Sequence, residues 1–197
     1  MDTSRKRITV IQGHPLADSY CSALTDAYVA GARETGAEVR VHRLAEKEFD
    51  PILHHGYRQR QELEPDLIEL QQEISWANHL VLAFPIWWGV PPALMKGFFD
   101  RAFLPGFGYS YSSPRAIMQK KLLSGRSARV ICTMDSPTWY YRFLVGAPGL
   151  RMMKNSILTF CGISPVRISA FGSVKLASGK RREKWLREAQ RLGRSQV

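Results

Sequence analysis

Phe84-Pro-Ile-Trp-Trp-Gly-Val-Pro-Pro-Ala-Leu-Met-Lys-Gly-Phe-Phe-Asp-Arg-Ala-Phe103 joins a buried strand to a helix, and its reading decides the fold. The run before it, His79-Leu-Val-Leu-Ala-Phe84, is apolar throughout and of strand length, as suits a central parallel strand covered on both faces. Pro85 is expected to stop that strand, since proline lacks the donor for a further ladder bond. Trp87 and Trp88 then fall at the strand's carboxyl end, where open parallel sheets bind ligands. Gly89, Pro91 and Pro92 turn the chain, and Pro92 is placed to open a helix whose apolar face includes Leu94, Met95, Phe98, Ala102 and Phe103. On their own, the two tryptophans suit a planar-ring site and a core or interface about equally well.

Working outward, Arg7-Ile-Thr-Val-Ile-Gln12 reads as a first strand ending at Gly13, followed by the loop His14–Ser22 and a helix to about Thr35. Gly36 closes that helix, and Ala37 to Arg43 alternates as a second strand. A polar connection leads to a helix opened by Pro65 and running to Trp76, with Leu67, Ile68, Leu70, Ile74 and Trp76 available to face the sheet. Beyond Phe103, an aromatic loop, Leu104-Pro-Gly-Phe-Gly-Tyr-Ser-Tyr111, continues to about Ser124. Ser127–Thr133 supplies the fourth strand and Val166–Phe171 the fifth, with helices expected at Gly149–Phe160 and Ser178–Gly193.

Five strands alternating with helices imply a doubly wound α/β fold with a parallel sheet and helices on both faces, expected as one domain over residues 1–197. The order 2-1-3-4-5 fits the element count and puts the switch point between the first and third strands. The loops that begin at His14 and at Pro85 therefore border one crevice. Free amides, the Ser19 and Ser22 hydroxyls and the positive end of a helix make the first of these loops a place for a phosphate, or simply a capped helix with Asp18 or Ser19 as N-cap. The loop matches neither the dinucleotide fingerprint nor the NTPase phosphate loop.

Composition sets bounds on the rest. The formal net charge is +11, which attracts anions of many kinds, nucleic acid and phosphate-bearing cofactors among them. No apolar run is long enough for a membrane span, and residues 1–7 do not read as a signal peptide, so a cytoplasmic protein is expected. Cys21, Cys132 and Cys161 are odd in number and widely spaced, which points to reduced thiols. His54-His55 has no further ligands at useful spacing, and no metal is expected. The basic last helix, with Lys180, Arg181, Arg182, Lys184, Arg187, Arg191 and Arg194, reads as a solvated amphipathic helix rather than a nucleic-acid surface.

The pattern Gly-His-Pro with Ser19-Tyr20 behind it, and above all Phe-Pro-Ile-Trp-Trp with the helix through Phe103, closely resembles the NAD(P)H:quinone oxidoreductases of the flavodoxin-like superfamily from about Ile8 to Gly162. The resemblance implies a flavin cofactor, FAD with FMN as the other possibility. It also implies NADPH or NADH as hydride donor, two-electron reduction of quinones or similar aromatic acceptors by ping-pong transfer through one pocket, and a homodimer in which one subunit completes the other's ring pocket. By the same resemblance His14, Ser19 and Tyr20 match the phosphate region, with Cys21 at the next cofactor-binding position of that loop. Pro85, Ile86, Trp87, Trp88 and Gly89 match the segment along the ring edge, Thr133 begins the loop on the ring's other side, and Tyr141 matches the active-site tyrosine of the animal enzymes. Cys21 stands where the family usually has asparagine, Met134-Asp-Ser136 where it has threonine and paired glycines, and Ala147 where it has histidine. Some relatives are flavin-binding regulatory subunits of transport proteins, which leaves an alternative reading open.

Overall fold

The computed structural model describes residues 5–113 and 117–196, so Met1–Ser4 and part of the loop after Tyr111 lie outside the described residues. Five strands form a parallel sheet: β1 (Arg7–Gln12), β2 (Glu38–Arg43), β3 (His79–Pro85), β6 (Ser127–Thr133) and β7 (Val166–Phe171), in the order β2-β1-β3-β6-β7. β3, at the centre, is buried along its whole length, which is why its sequence is uninterrupted in apolar character. Helix α1 (Tyr20–Glu34) and helix α5 (Gly179–Ser195) cover one face, packing on Ile8, Val10, Val81 and Ile131. Helices α2 (Pro65–Trp76) and α3 (Ala93–Ala102) cover the other, where Leu67, Leu70, Ile74, Met95 and Phe98 meet Leu80, Leu82 and Phe84.

Helices α1 and α5 approach each other very closely, for a sequence reason. A Cβ on Gly31 would stand 1.9 Å from the Gln190 carbonyl oxygen, and one on Gly193 would stand 2.0 Å from that of Tyr28. Only glycine at both positions lets the two backbones touch. On the other face, the fully buried Arg101 of α3 donates to the carbonyls of Asp50 and Glu62 and to the Glu64 carboxylate at 2.8 Å, and so clasps the long polar connection before α2.

Several boundaries differ from the sequence reading. Pro85 does not stop β3 but is its last residue, paired with Thr133, and the Ile86 amide adds one more bond to the Thr133 carbonyl at 2.7 Å. The proline is tolerated because it ends the strand, beyond the β1–β3 register, which closes at Gln12 and Ala83. β2 begins at Glu38 and α1 at Tyr20, and Pro92 is the N-cap of α3 rather than its first residue. Ile68 is exposed rather than sheet-facing. The aromatic loop contains a small antiparallel hairpin, β4 (Tyr109–Tyr111) with β5 (Gln119–Lys121). The stretch expected as one helix from Gly149 is a short α-helical turn, α4 (Pro148–Arg151), that runs into π-helix over Met152–Thr159, and a further π-helical segment spans Tyr140–Leu144.

Candidate active site

The carboxyl ends of β1, β3 and β6 open on a crevice of about 260 Å³. His14, Tyr20 and Cys21 line it from the first loop, Pro85, Ile86 and Trp87 from the second, and Thr133 from the third. Ser19 stands at its rim as the N-cap of α1. Met134, Asp135 and Val174 complete the lining; the sequence marked Met134 and Asp135 only as a departure within the loop after Thr133 and did not mark Val174. The signal available was topological, since every strand's carboxyl end faces the same side of a parallel sheet and the loops after β6 and β7 had to arrive there too. Those two loops are stitched together by Met134 N–H to Phe171 O at 2.9 Å, Val174 N–H to Met134 O at 3.1 Å and Lys175 N–H to the Asp135 carboxylate at 3.1 Å.

The amino end of α1 carries the polar part. The Ser19 hydroxyl caps the helix by accepting from the Ser22 amide at 3.1 Å, and it also meets the Ser22 hydroxyl at 2.9 Å, so the capped-helix reading describes what its oxygen does. Gln12, a buried polar residue ending an apolar strand, donates to that same Ser22 hydroxyl and ties the loop to β1. The amides of Tyr20 and Cys21, in the first turn, have no carbonyl four residues back within the helix and remain donors for an anion. His14 accepts the Leu16 amide on Nδ1 at 3.0 Å, which puts the proton of the neutral ring on Nε2. Burial lowers its pKa, so the ring is neutral near pH 7. Its edge rests on Trp87, with ring centroids 5.6 Å apart.

Tyr20 lies on the wall, but its hydroxyl donates to the Arg182 carbonyl at 2.7 Å, and burial pushes its pKa up to about 12. The Cys21 thiol is buried beneath the loop and is likewise pushed up to about 12, chiefly by desolvation, with a Thr133 hydrogen bond opposing. It is a neutral thiol at this site and no nucleophile.

The second loop supplies a flat edge. Trp87 is half exposed and Trp88 fully exposed, and positive φ at Trp88 (50°) and Gly89 (81°) lets the chain fold back so that Trp87 and Val90 exchange backbone hydrogen bonds. The Ile86 and Trp87 amides are thereby consumed, while those of Trp88 and Gly89 donate to no described group.

Tyr141 is not on the crevice wall. It is buried behind the turn, 2% exposed, where its hydroxyl donates to the Gly89 carbonyl at 2.8 Å and accepts the Gly149 amide at 3.2 Å. The Gly149 amide also reaches Gly89 O at 3.0 Å, and a Cβ on Gly149 would stand 2.8 Å from that oxygen. The tyrosine sets the position of the turn.

Among the described residues no group of three or more His, Cys, Asp and Glu side chains is gathered as a metal site, and His54 is paired with Asp50 at 2.6 Å. No described helix is long and apolar enough to cross a membrane. The crevice offers first-turn amides of α1 at one end and the Pro85–Trp87 segment at the other, a lining that fits a flavin.

Comparison with known proteins gives the same fold. The model of a family described as having the flavodoxin-like fold matches residues 6–194. An uncharacterized NAD(P)H oxidoreductase of Haemophilus influenzae is 28% identical over 179 residues, which cover 88% of this chain and 87% of that protein. NAD(P)H dehydrogenase (quinone) 1 of Cavia porcellus is 29% identical over 183 residues, 80% of this chain, and the match spans only 65% of that longer protein. Among solved structures, Smu.1420 from Streptococcus mutans superposes with a TM-score of 0.80 at 27% identity, covering 96% of this chain and 99% of that one. The NAD(P)H:quinone oxidoreductase from Methanothermobacter marburgensis has the same fold, with a TM-score of 0.80 at 24% identity over 98% of this chain and 97% of that one.

Proposed function

The chain belongs to the flavodoxin-like fold family, and from that premise we propose that it is a flavin-dependent NAD(P)H oxidoreductase that reduces quinones or similar small aromatic acceptors by two electrons. The observation that carries the reading is the convergence on one crevice of Tyr20 and Cys21, whose first-turn amides are uncommitted, with the Pro85–Trp87 segment and Thr133. A bound flavin would supply the two-electron redox chemistry between nicotinamide and acceptor.

The chain's own residues bind and orient. The Tyr20 and Cys21 amides and the Nε2 proton of His14 hold the phosphate, beside the Ser19 cap. Pro85 and Ile86 form the rigid floor beneath the ring edge, Thr133 holds its far side, and Trp87 forms the wall against which His14 rests. The Trp88 and Gly89 amides, which donate to no described group, would be the donors of this turn left for a bound flavin. Tyr141 acts through Gly89 by fixing the carbonyl of the turn. With Ala147 where the resembled family has histidine, no imidazole follows Tyr141 in this segment, and the protons that complete the acceptor's reduction would come from solvent.

We assign FAD rather than FMN as the resident cofactor on the resemblance of the binding loops, and a single flavin-binding domain that acts in the cytoplasm. A homodimer is the proposed assembly. Its support is the exposure of four large apolar side chains, Trp88, Trp139, Phe143 and Leu144.

Steady-state kinetics of the flavin-loaded protein test the scheme. One shared pocket requires the nucleotide to leave before the acceptor enters, so double-reciprocal lines at several acceptor concentrations should be parallel. Intersecting lines with a kinetically competent ternary complex would exclude the shared pocket.

A further inference from the structure

Beyond Tyr141 the chain leaves ordinary helical geometry twice, in the π-helical segments Tyr140–Leu144 and Met152–Thr159. Between them Ala147 takes a left-handed φ of 49°, which is uncommon for a residue with a Cβ. Irregularities of both kinds concentrate where a protein positions functional groups. Here they bring Arg142, Arg151 and Lys154 to the walls of one groove of about 260 Å³, whose apolar floor includes Leu150 and Ile168.

No carboxylate lines that groove. The contrast with other basic clusters is plain: Lys47 is held by Asp66 and Glu69, Arg40 by Glu38 and Glu73, and the groove on α5 between Lys184, Arg187 and Arg191 contains Glu188. Among the described residues, the side chains of Arg142, Arg151 and Lys154 have neither an ion pair nor a hydrogen bond. Arg151 and Lys154 are three residues apart on a helical surface, a spacing at which like charges repel. Three unneutralised cations in a concave site, with the Asn155 amide beside them, form a receptor for a compact polyanion.

We propose that this groove binds the ribose 2′-phosphate of the nucleotide, and that the enzyme therefore prefers NADPH to NADH. The inference rests on the oxidoreductase reading above and names the donor that reading leaves open. Its location supports it: Arg142 follows Tyr141 and Leu150 follows Gly149, the two residues that hold Gly89, so the groove lies behind the turn whose Ile86 and Trp87 line the crevice. A dinucleotide with its nicotinamide in the crevice has its far phosphate to place outside it. Two guanidinium forks and an ammonium match a dianionic phosphate, and NADH has no such group.

The test is calorimetric titration of the flavin-loaded protein with adenosine 2′,5′-bisphosphate and with 5′-AMP, repeated on the double variant Arg151→Gln, Lys154→Gln. Both side chains are exposed, so the variant should keep the wild-type melting temperature, and Arg142→Gln serves as an independent second variant. The bisphosphate should bind roughly tenfold or more tightly than 5′-AMP, and the gap should close in both variants, as expected for lost charge-assisted hydrogen bonds. Equal binding of the two nucleotides, no binding of either, or a gap that survives the substitutions would overturn the proposal. If the gap is present and closes in the variants while neither NADH nor NADPH reduces the flavin, the phosphate site stands and the proposed reaction falls.

Discussion

Replacing Tyr141 with phenylalanine separates two roles for the one residue singled out as catalytic from the sequence. The substitution removes a hydroxyl that donates to Gly89 O at 2.8 Å and accepts from Gly149 N at 3.2 Å. Gly89 O keeps its second donor, the Gly149 amide at 3.0 Å, so no buried carbonyl is orphaned. The loss is therefore that of one good and one long hydrogen bond, about 1–2 kcal/mol. In a chain of this size that lowers the melting temperature by about 3–6 °C. Because the turn carrying the Trp88 and Gly89 amides is what loosens, part of the cost should fall on flavin affinity, raising its dissociation constant by roughly three- to tenfold. Burial raises the tyrosine's pKa, so the hydroxyl is protonated across the neutral range and the pH profile of turnover should be unchanged by the substitution. Differential scanning fluorimetry, flavin titration and a pH–rate profile read the three quantities. A variant with wild-type melting temperature and flavin affinity but slow turnover would refute the positioning role and restore the tyrosine as a proton donor.

Two further outcomes follow from the packing. Gly31→Ala places a Cβ where the Gln190 carbonyl already sits and should cost about 3 kcal/mol in urea unfolding, whereas a loss under about 1 kcal/mol would mean that α1 and α5 are not in contact as described. His79, fully buried at the start of β3, has its pKa pushed down to about 3 by desolvation, with Lys6 and Arg129 adding to the effect. The unfolded chain binds a proton near pH 6.5 that the folded chain refuses. Stability is therefore full above about pH 6.5 and declines as pH falls toward 3, by about 2 kcal/mol at pH 5. His79→Gln should flatten that slope in denaturant midpoints measured from pH 7 to 5, and an unchanged slope would contradict the burial argument.

The sheet was legible almost residue by residue because each strand is a short apolar or alternating run bounded by Gly, Pro or a polar residue. Arg7–Gln12, Ser127–Thr133 and Val166–Phe171 fall where they were read. The hairpin Tyr109–Tyr111 with Gln119–Lys121 escaped because strands of three residues show no alternation. Tyr109 rests on Phe160, with ring centroids 5.0 Å apart, a contact no local pattern announces. The π-helical segments escaped because apolar spacing near 3.6 does not reveal an extra residue per turn. At the candidate site, the sequence placed the loops at one crevice but not their hydrogen bonds. The Ile86 amide is taken by Thr133 and the Trp87 amide by Val90, which leaves the Trp88 and Gly89 amides as the free donors of that turn. Tyr141 was found by resemblance, while its direction, toward Gly89 and away from the crevice, depends on how Gly149 packs against the turn.

The most direct measurement is anaerobic addition of NADPH or NADH to the flavin-loaded protein, followed by its visible absorbance. One equivalent of nucleotide should bleach one equivalent of bound flavin, and a quinone added afterwards should restore the colour without further nucleotide. A protein that takes up neither FAD nor FMN, or whose bound flavin stays oxidised under excess of both nucleotides, would contradict the account.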